Sequence, residues 1–156
     1  MTEEEKPIGV VEFLKAIADD PEVPDKYRIQ ASALVVDPNA NPFAPPIRLA
    51  VANNKVLGHA NFGAAIEGSP GTVHGGFVAA AFDQVLFMAQ SLTGIPAMTA
   101  TLTVRYRKPT PLFTELVFEG VVERVEGRKV FTQGTVSANG VVTAEAEGLF
   151  IALGHL

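Results

Sequence analysis

The stretch from Gly75 to Ser91 (GGFVAAAFDQVLFMAQS) limits what this chain can fold into more than any other. It is long, and it carries no proline and no glycine after its opening pair, which predicts a helix. Its apolar residues keep to no single stripe: Phe77, Val78, Ala79, Ala80, Ala81, Phe82, Val85, Leu86, Phe87, Met88 and Ala89 go right round. A helix of that kind has to be covered on most sides. With 156 residues, 47% of them hydrophobic and 19% charged, the chain can supply such a cover within one domain, and a disordered reading fails.

The cover is predicted to be strands. After Gly94-Ile95-Pro96 the ranges 98–107, 115–125, 129–138 and 141–153 read as strands, separated by Pro109-Thr110-Pro111, Glu126-Gly127-Arg128 and Asn139-Gly140. The last of these is a strong signal for a two-residue hairpin. Ahead of the helix, 47–52 and 55–67 flank Asn53-Asn54, a dipeptide that tolerates positive φ, so a further hairpin is expected. Leu102, Val104 and Tyr106 alternate with Thr101, Thr103, Arg105 and Arg107, giving a core face and a polar face. Ala144, Ala146 and Gly148 alternate with Thr143, Glu145 and Glu147, so small residues on one face would let the sheet approach the helix closely. The layout is α+β, with a curved antiparallel sheet wrapping one long central helix.

The N-terminal part reads differently. Val10, Val11, Leu14, Ile17 and Ala18 fall at helical spacing within 7–18, and Asp19-Asp20-Pro21 stops the run. From 22 to 46 proline and polar residues predominate, and 39–46 (NANPFAPP) cannot continue a regular element, so a covering loop is expected. The chain divides into 1–46, a helix and a Pro-rich covering loop, and 47–156, the main domain. No internal repeat is visible.

Composition removes several classes of function. The absence of cysteine excludes disulfides, thiolate metal sites and a cysteine nucleophile. The three histidines, His59, His74 and His155, lie far apart without ligand spacing, so no metal is expected. A net charge of −5 and a pI near 5.1 argue against nucleic acid as a partner. The start, Met1-Thr2-Glu3-Glu4-Glu5-Lys6, is acidic where a secretory signal would be basic and then apolar, which predicts a cytoplasmic protein. The apolar stretch 77–88 is broken by Asp83 and Gln84 and is too short to span a bilayer, so no membrane anchor is expected.

Two features at the helix point to chemistry. His74-Gly75-Gly76 stands at its opening turn, where the first N–H groups have no intrahelical partner and glycines let a ligand come close. Such donors suit an oxygen that becomes negative during reaction. The ordinary alternative is a tight turn and N-cap. Asp83 lies eight residues after Gly75, among Phe82, Val85 and Leu86. A carboxylate in such surroundings is costly unless paired, which makes it a functional candidate. Its ordinary alternative is a hydrogen bond at an exposed or oligomer-facing edge.

The string His74-Gly75-Gly76-Phe77-Val78-Ala79-Ala80-Ala81-Phe82-Asp83 resembles the hotdog-fold acyl-CoA thioesterases, in the branch of the thioesterase superfamily members and the phenylacetate-pathway thioesterases. Met98-Thr99-Ala100-Thr101-Leu102, Tyr106-Arg107-Lys108-Pro109 and Val125-Glu126-Gly127-Arg128-Lys129 extend the likeness over roughly 68–153. The resemblance implies a homodimer or homotetramer built through edge strands, with the active site at the dimer interface and no cofactor. It implies that Asp83 is the catalytic carboxylate, as general base or nucleophile, and that Gly76 with Gly75 gives backbone N–H to the thioester oxygen. His74 would shape the loop and touch the thioester as a catalytic residue, and Thr99 would hold the attacking water. The substrate would be an acyl-CoA, hydrolysed to a free acid and coenzyme A.

Few basic residues are available for the phosphates of coenzyme A. Arg107 and Lys108 near one strand end, with Arg105, and Arg128 and Lys129 in a hairpin turn are the candidates, a solvated turn being the alternative. Phe77, with Phe43, Phe62 and Phe87, is a candidate to line an acyl channel, although each also suits a core. Two further readings stand beside the hydrolase: a non-catalytic acyl-CoA-binding protein of the same fold, and a dehydratase-like enzyme acting on a hydroxyacyl or enoyl thioester.

Overall fold

The computed structural model describes residues 8–9, 12, 15–16, 19–22 and 45–153. Seven strands are found there: β1 (Ile8–Gly9), β2 (Arg48–Ala52), β3 (Lys55–Ala60), β4 (Ala97–Tyr106), β5 (Leu116–Glu126), β6 (Lys129–Ala138) and β7 (Val141–Ala152). The long helix α1 (Gly75–Ser91) runs over the range that its composition predicts. All strand pairs are antiparallel, in the order β1-β2-β3-β5-β6-β7-β4, and β1 adds two residues to a sheet of six longer strands.

Local turn chemistry sets the hairpins. Asn53 and Asn54 take φ of 51° and 64°, and Asn139 and Gly140 take 51° and 77°, so both central residues of each two-residue loop are left-handed, as a hairpin with native twist requires. The expected strand over 55–67 ends earlier, at Ala60, and Ala64–Ile66 form a 3₁₀ turn that leads to the helix. The N-terminal expectation also needs correction. Ile8–Gly9 are strand, paired with Leu49 and Arg48 of β2, while Glu12, Lys15, Ala16 and Asp19 are helical. Helical spacing is a local signal, and the open side of β2 overrides it at Ile8. Most of the 22–46 loop, Phe43 included, lies outside the described residues; Pro45 is buried and Pro46 exposed.

The core lies between α1 and the sheet. Phe82, Val85 and Leu86 are fully buried, as are Phe118, Val136 and Phe150 from the strands. Phe82 and Phe118 meet edge to face, with centroids 5.3 Å apart. Close approach depends on glycine in four strands. A Cβ at Gly58 or Gly120 would come within 2.9 or 3.0 Å of Val85, and one at Gly134 or Gly148 within 3.0 or 3.2 Å of Leu86. The expectation from Gly148 and its alanine neighbours thus extends across β3, β5, β6 and β7.

Cover is incomplete along one stripe. Gly76 is exposed, and Phe77, Ala80, Asp83, Gln84 and Phe87 are only partly buried. These positions recur at three- and four-residue spacing, so a single chain leaves one face of α1 half open. Among the described residues no strand pairs with the outer side of β4, where Met98 is 61% exposed.

Candidate active site

The opening turn of α1 is held by a series of backbone bonds. Ser69 to Thr72 form a turn closed by Thr72 N–H on Ser69 O at 2.9 Å, with Pro70 fixing the first corner and Gly71 at φ 78° supplying the second. Leu112 N–H then bonds Gly71 O at 3.0 Å, and Val73 N–H bonds Thr110 O at 2.8 Å. The β4–β5 connection therefore straps down the lead-in to the helix. Gly68 packs so closely on it that a Cβ would lie 2.8 Å from His74 Cα.

His74 is the N-cap. Its Nδ1 accepts from Gly76 N–H at 2.9 Å, and its carbonyl accepts from the N–H groups of Phe77 and Val78. A ring nitrogen that accepts carries no proton, so this geometry belongs to the neutral imidazole protonated at Nε2. The imidazole stands edge to face with the half-buried Phe77 ring, at 5.9 Å. One of the two amides expected to meet a substrate oxygen, that of Gly76, is thus engaged by the capping histidine. Gly75 N–H finds no acceptor among the described residues.

Two turns further along the same face, Asp83 is half-buried, and its Oδ1 accepts from the Thr99 hydroxyl at 2.8 Å. A bulge in β4 makes this contact. Thr99 faces Phe150 of β7 and Thr101 faces Leu149, so Ala100 is an extra residue. Strict alternation would put Thr99 with Thr101 on the side away from α1; the inserted residue turns Thr99 towards the helix. One carboxylate oxygen is bonded and the other is left for a further proton.

Tyr106, at the far end of β4, is a site residue that local sequence reasoning assigned only to the core face. Its hydroxyl donates to Gly75 O at 2.6 Å, and its ring lies 3.5 Å from where a Cβ of Gly75 would stand. Partial withdrawal from water pushes its pKa above the usual tyrosine value. A contact across 31 residues leaves no local mark beyond an aromatic hydroxyl at a strand end.

The basic candidates are not brought together. Tyr106 pairs with Ala144 at the start of β7, whereas Lys129 pairs with Ile151 near its end, so Arg107 and Lys108 lie roughly 24 Å along the strand from Arg128 and Lys129. Arg107 is exposed and 3.4 Å from Glu145; Arg105 is 3.4 Å from Glu147; Arg128 donates to Ala152 O at 2.8 Å. Lys108 and Lys129 are exposed. Lys108 and Arg107 stand at the helix-opening end, Arg128 and Lys129 at the Thr99 end. Of the aromatic candidates, Phe62 is core at 1% exposure, and Phe87 tilts against Phe150 with centroids 6.3 Å apart.

An amide-rich helix start and a hydroxyl-bonded carboxylate lie on one central helix, backed by an antiparallel sheet. Residues 70–145 match the thioesterase superfamily model, and the fold is the hotdog fold of solved thioesterase structures. Acyl-coenzyme A thioesterase THEM4 of Rattus norvegicus is 38% identical over 90 residues, which cover 56% of this chain and 39% of the rat protein. The chain therefore matches about two fifths of that curated relative's length. A crystal structure of a thioesterase superfamily protein is 40% identical at TM-score 0.64, covering 69% of this chain and 54% of the other. The fold is shared with a Streptococcus mutans protein crystallised bound to acetyl-CoA, at TM-score 0.67 and 18% identity, covering 74% of this chain and 95% of that one. Among the described residues no helix is long and apolar enough to cross a membrane.

Proposed function

We propose that the protein is an acyl-CoA thioesterase whose working site is completed by two copies of the chain. The observation that carries this reading is the Asp83–Thr99 pair beside a half-open helix that begins with His74-Gly75-Gly76. Water, activated by the free oxygen of Asp83, attacks the thioester carbonyl carbon; its proton passes to the carboxylate, and the carbonyl oxygen becomes an oxyanion held by backbone N–H. Collapse of that intermediate breaks the carbon–sulfur bond and releases coenzyme A thiolate, which takes up the proton. Thr99 fixes the carboxylate by its hydrogen bond and stands where it can also orient the water. The thioester oxygen has Gly75 N–H at once, and gains Gly76 N–H when it displaces His74 Nδ1.

Gly76 and Asp83 are seven residues apart, about 10 Å of backbone rise along the axis. The outer side of β4 supports the two-chain site. Ala97–Tyr106 is a ten-residue strand whose run 97–104 has no charge and no proline, the features that otherwise guard a sheet edge. Edge-to-edge pairing of two β4 strands would carry the Asp83 of one protomer towards the glycines of its partner. Arg107 and Lys108 of the amide side and Arg128 of the carboxylate side then become alternative phosphate contacts from different chains. The dimer, with a tetramer as its doubled form, and the acyl-CoA substrate belong to this proposal.

The test is thiol release from a panel of acyl-CoAs. Wild type is expected to hydrolyse at least one member, and Asp83→Asn to lower kcat by about 100-fold or more. Hydrolysis by Asp83→Asn at the wild-type rate removes the assigned role, and tight acyl-CoA binding with no thiol release identifies the non-catalytic binder instead.

A further inference from the structure

We propose that Tyr106 is a positioning residue for hydrolysis, holding and polarising the peptide unit through which Gly76 offers its N–H to the substrate oxygen. This rests on the reading of Gly76 as an oxyanion donor and goes beyond it. The carbonyl of Gly75 and the N–H of Gly76 belong to one planar peptide, so whatever fixes the oxygen fixes the direction of the hydrogen. Tyr106 Oη donates to that oxygen at 2.6 Å, while His74 Nδ1 accepts from that hydrogen at 2.9 Å. The peptide is thus clamped at both ends by side chains from outside the helix backbone.

The two clamps have opposite fates during turnover. When a thioester oxygen takes the Gly76 N–H, His74 lets go, and the flanking residues Gly75 and Gly76 are the least constrained backbone of the helix. Without a second hold, the peptide could tilt away from the oxygen just when charge builds there. Tyr106 remains bonded on the far side of the plane and keeps the donor aimed. A hydrogen bond to the carbonyl also draws electron density towards oxygen and strengthens the N–H as a donor, so the effect is largest when the partner is an oxyanion. A phenol is protonated, and therefore donating, across neutral pH, and partial burial moves its pKa further above that range.

The position of Tyr106 fits this task. Val73 and Gly71 are already tied to Thr110 and Leu112, so the lead-in to the helix is rigid without the phenol. Tyr106 is 52% exposed and contributes little to the core, so removing its hydroxyl should leave the fold intact. Its ring also shields one side of Gly75, where a side chain would meet it at 3.5 Å. β4 therefore serves the site at both ends, through Thr99 on the carboxylate and Tyr106 on the amide.

Tyr106→Phe tests the proposal with steady-state hydrolysis of the best acyl-CoA found in the panel. The proposal expects kcat to fall about three- to tenfold, with KM and the melting temperature nearly unchanged. It also expects weaker inhibition, by a similar factor, by the trifluoromethyl ketone analogue of the acyl-CoA, whose tetrahedral form carries an oxyanion-like oxygen. The plain ketone analogue should bind both proteins equally. A wild-type kcat in Tyr106→Phe, or an equal loss for both ketones, overturns the positioning role. Should Tyr106→Phe fail to fold, wild type with Tyr106 replaced by 3-fluorotyrosine, a stronger donor, is expected to keep or raise kcat, and a fall would overturn the role. Asp83→Asn run in parallel separates the claims: if it alone is inactive, the thioesterase stands and only the part given to Tyr106 falls.

Discussion

At the residue scale the site is a set of three hydrogen bonds, and each has a different degree of visibility in the chain. His74 next to two glycines announces a helix start, and it makes the N-cap that the ordinary reading of these residues gives, accepting from Gly76 N–H. Replacing it by alanine removes one satisfied donor, so His74→Ala should lower stability by about 1 kcal/mol in urea denaturation, with most of the loss recovered by His74→Asn, which can cap in the same way. An unchanged midpoint would mean that the strap of Thr110 and Leu112, not the cap, holds the turn. Asp83 was legible because an acid among Phe82, Val85 and Leu86 needs a reason. Its partner Thr99 was legible only through family likeness, since the bulge at Ala100 that turns it towards the helix leaves no mark in the alternation of β4. The Tyr106 bond to Gly75 joins residues far apart in the chain, and local pattern has no access to it.

At the element scale, α1 and the four central strands fit because glycines remove side chains where the helix comes closest. Gly134 is the most confined of them towards main chain: an added Cβ would lie 2.8 Å from the Glu119 carbonyl oxygen and 3.0 Å from Leu86. Backbone in a paired strand cannot move aside as a side-chain end can. Gly134→Ala is therefore expected to destabilise by about 1–3 kcal/mol and to lower the melting temperature by at least about 2 °C; no change in a thermal scan would contradict this account of the packing. Helix and hairpin ends were readable because their signals are local: the Gly75-Gly76 opening, Asn53-Asn54 and Asn139-Gly140. The strand at Ile8–Gly9 was hidden because its cause is the open side of β2, a tertiary fact, while Glu12, Lys15, Ala16 and Asp19 are helical. The two basic groups, read separately as a strand end and a hairpin turn, lie towards opposite ends of β7.

At the scale of the whole molecule, a single chain is unfinished in two ways at once. The helix keeps a half-covered stripe with Asp83 in it, and β4 keeps an unpaired side among the described residues. In the proposed dimer, pairing of two β4 edges would answer both and would make two sites, each with parts from both chains. Co-expression of Asp83→Asn with Gly76→Pro tests this most directly, because proline in the first turn removes the N–H while tolerating the helix. Each variant alone should be nearly inactive. The account predicts that mixed dimers, isolated by two affinity tags, recover thiol release, since one of their two sites holds an intact Asp83 and an intact Gly76 N–H. Mixed dimers as inactive as their parents would contradict it.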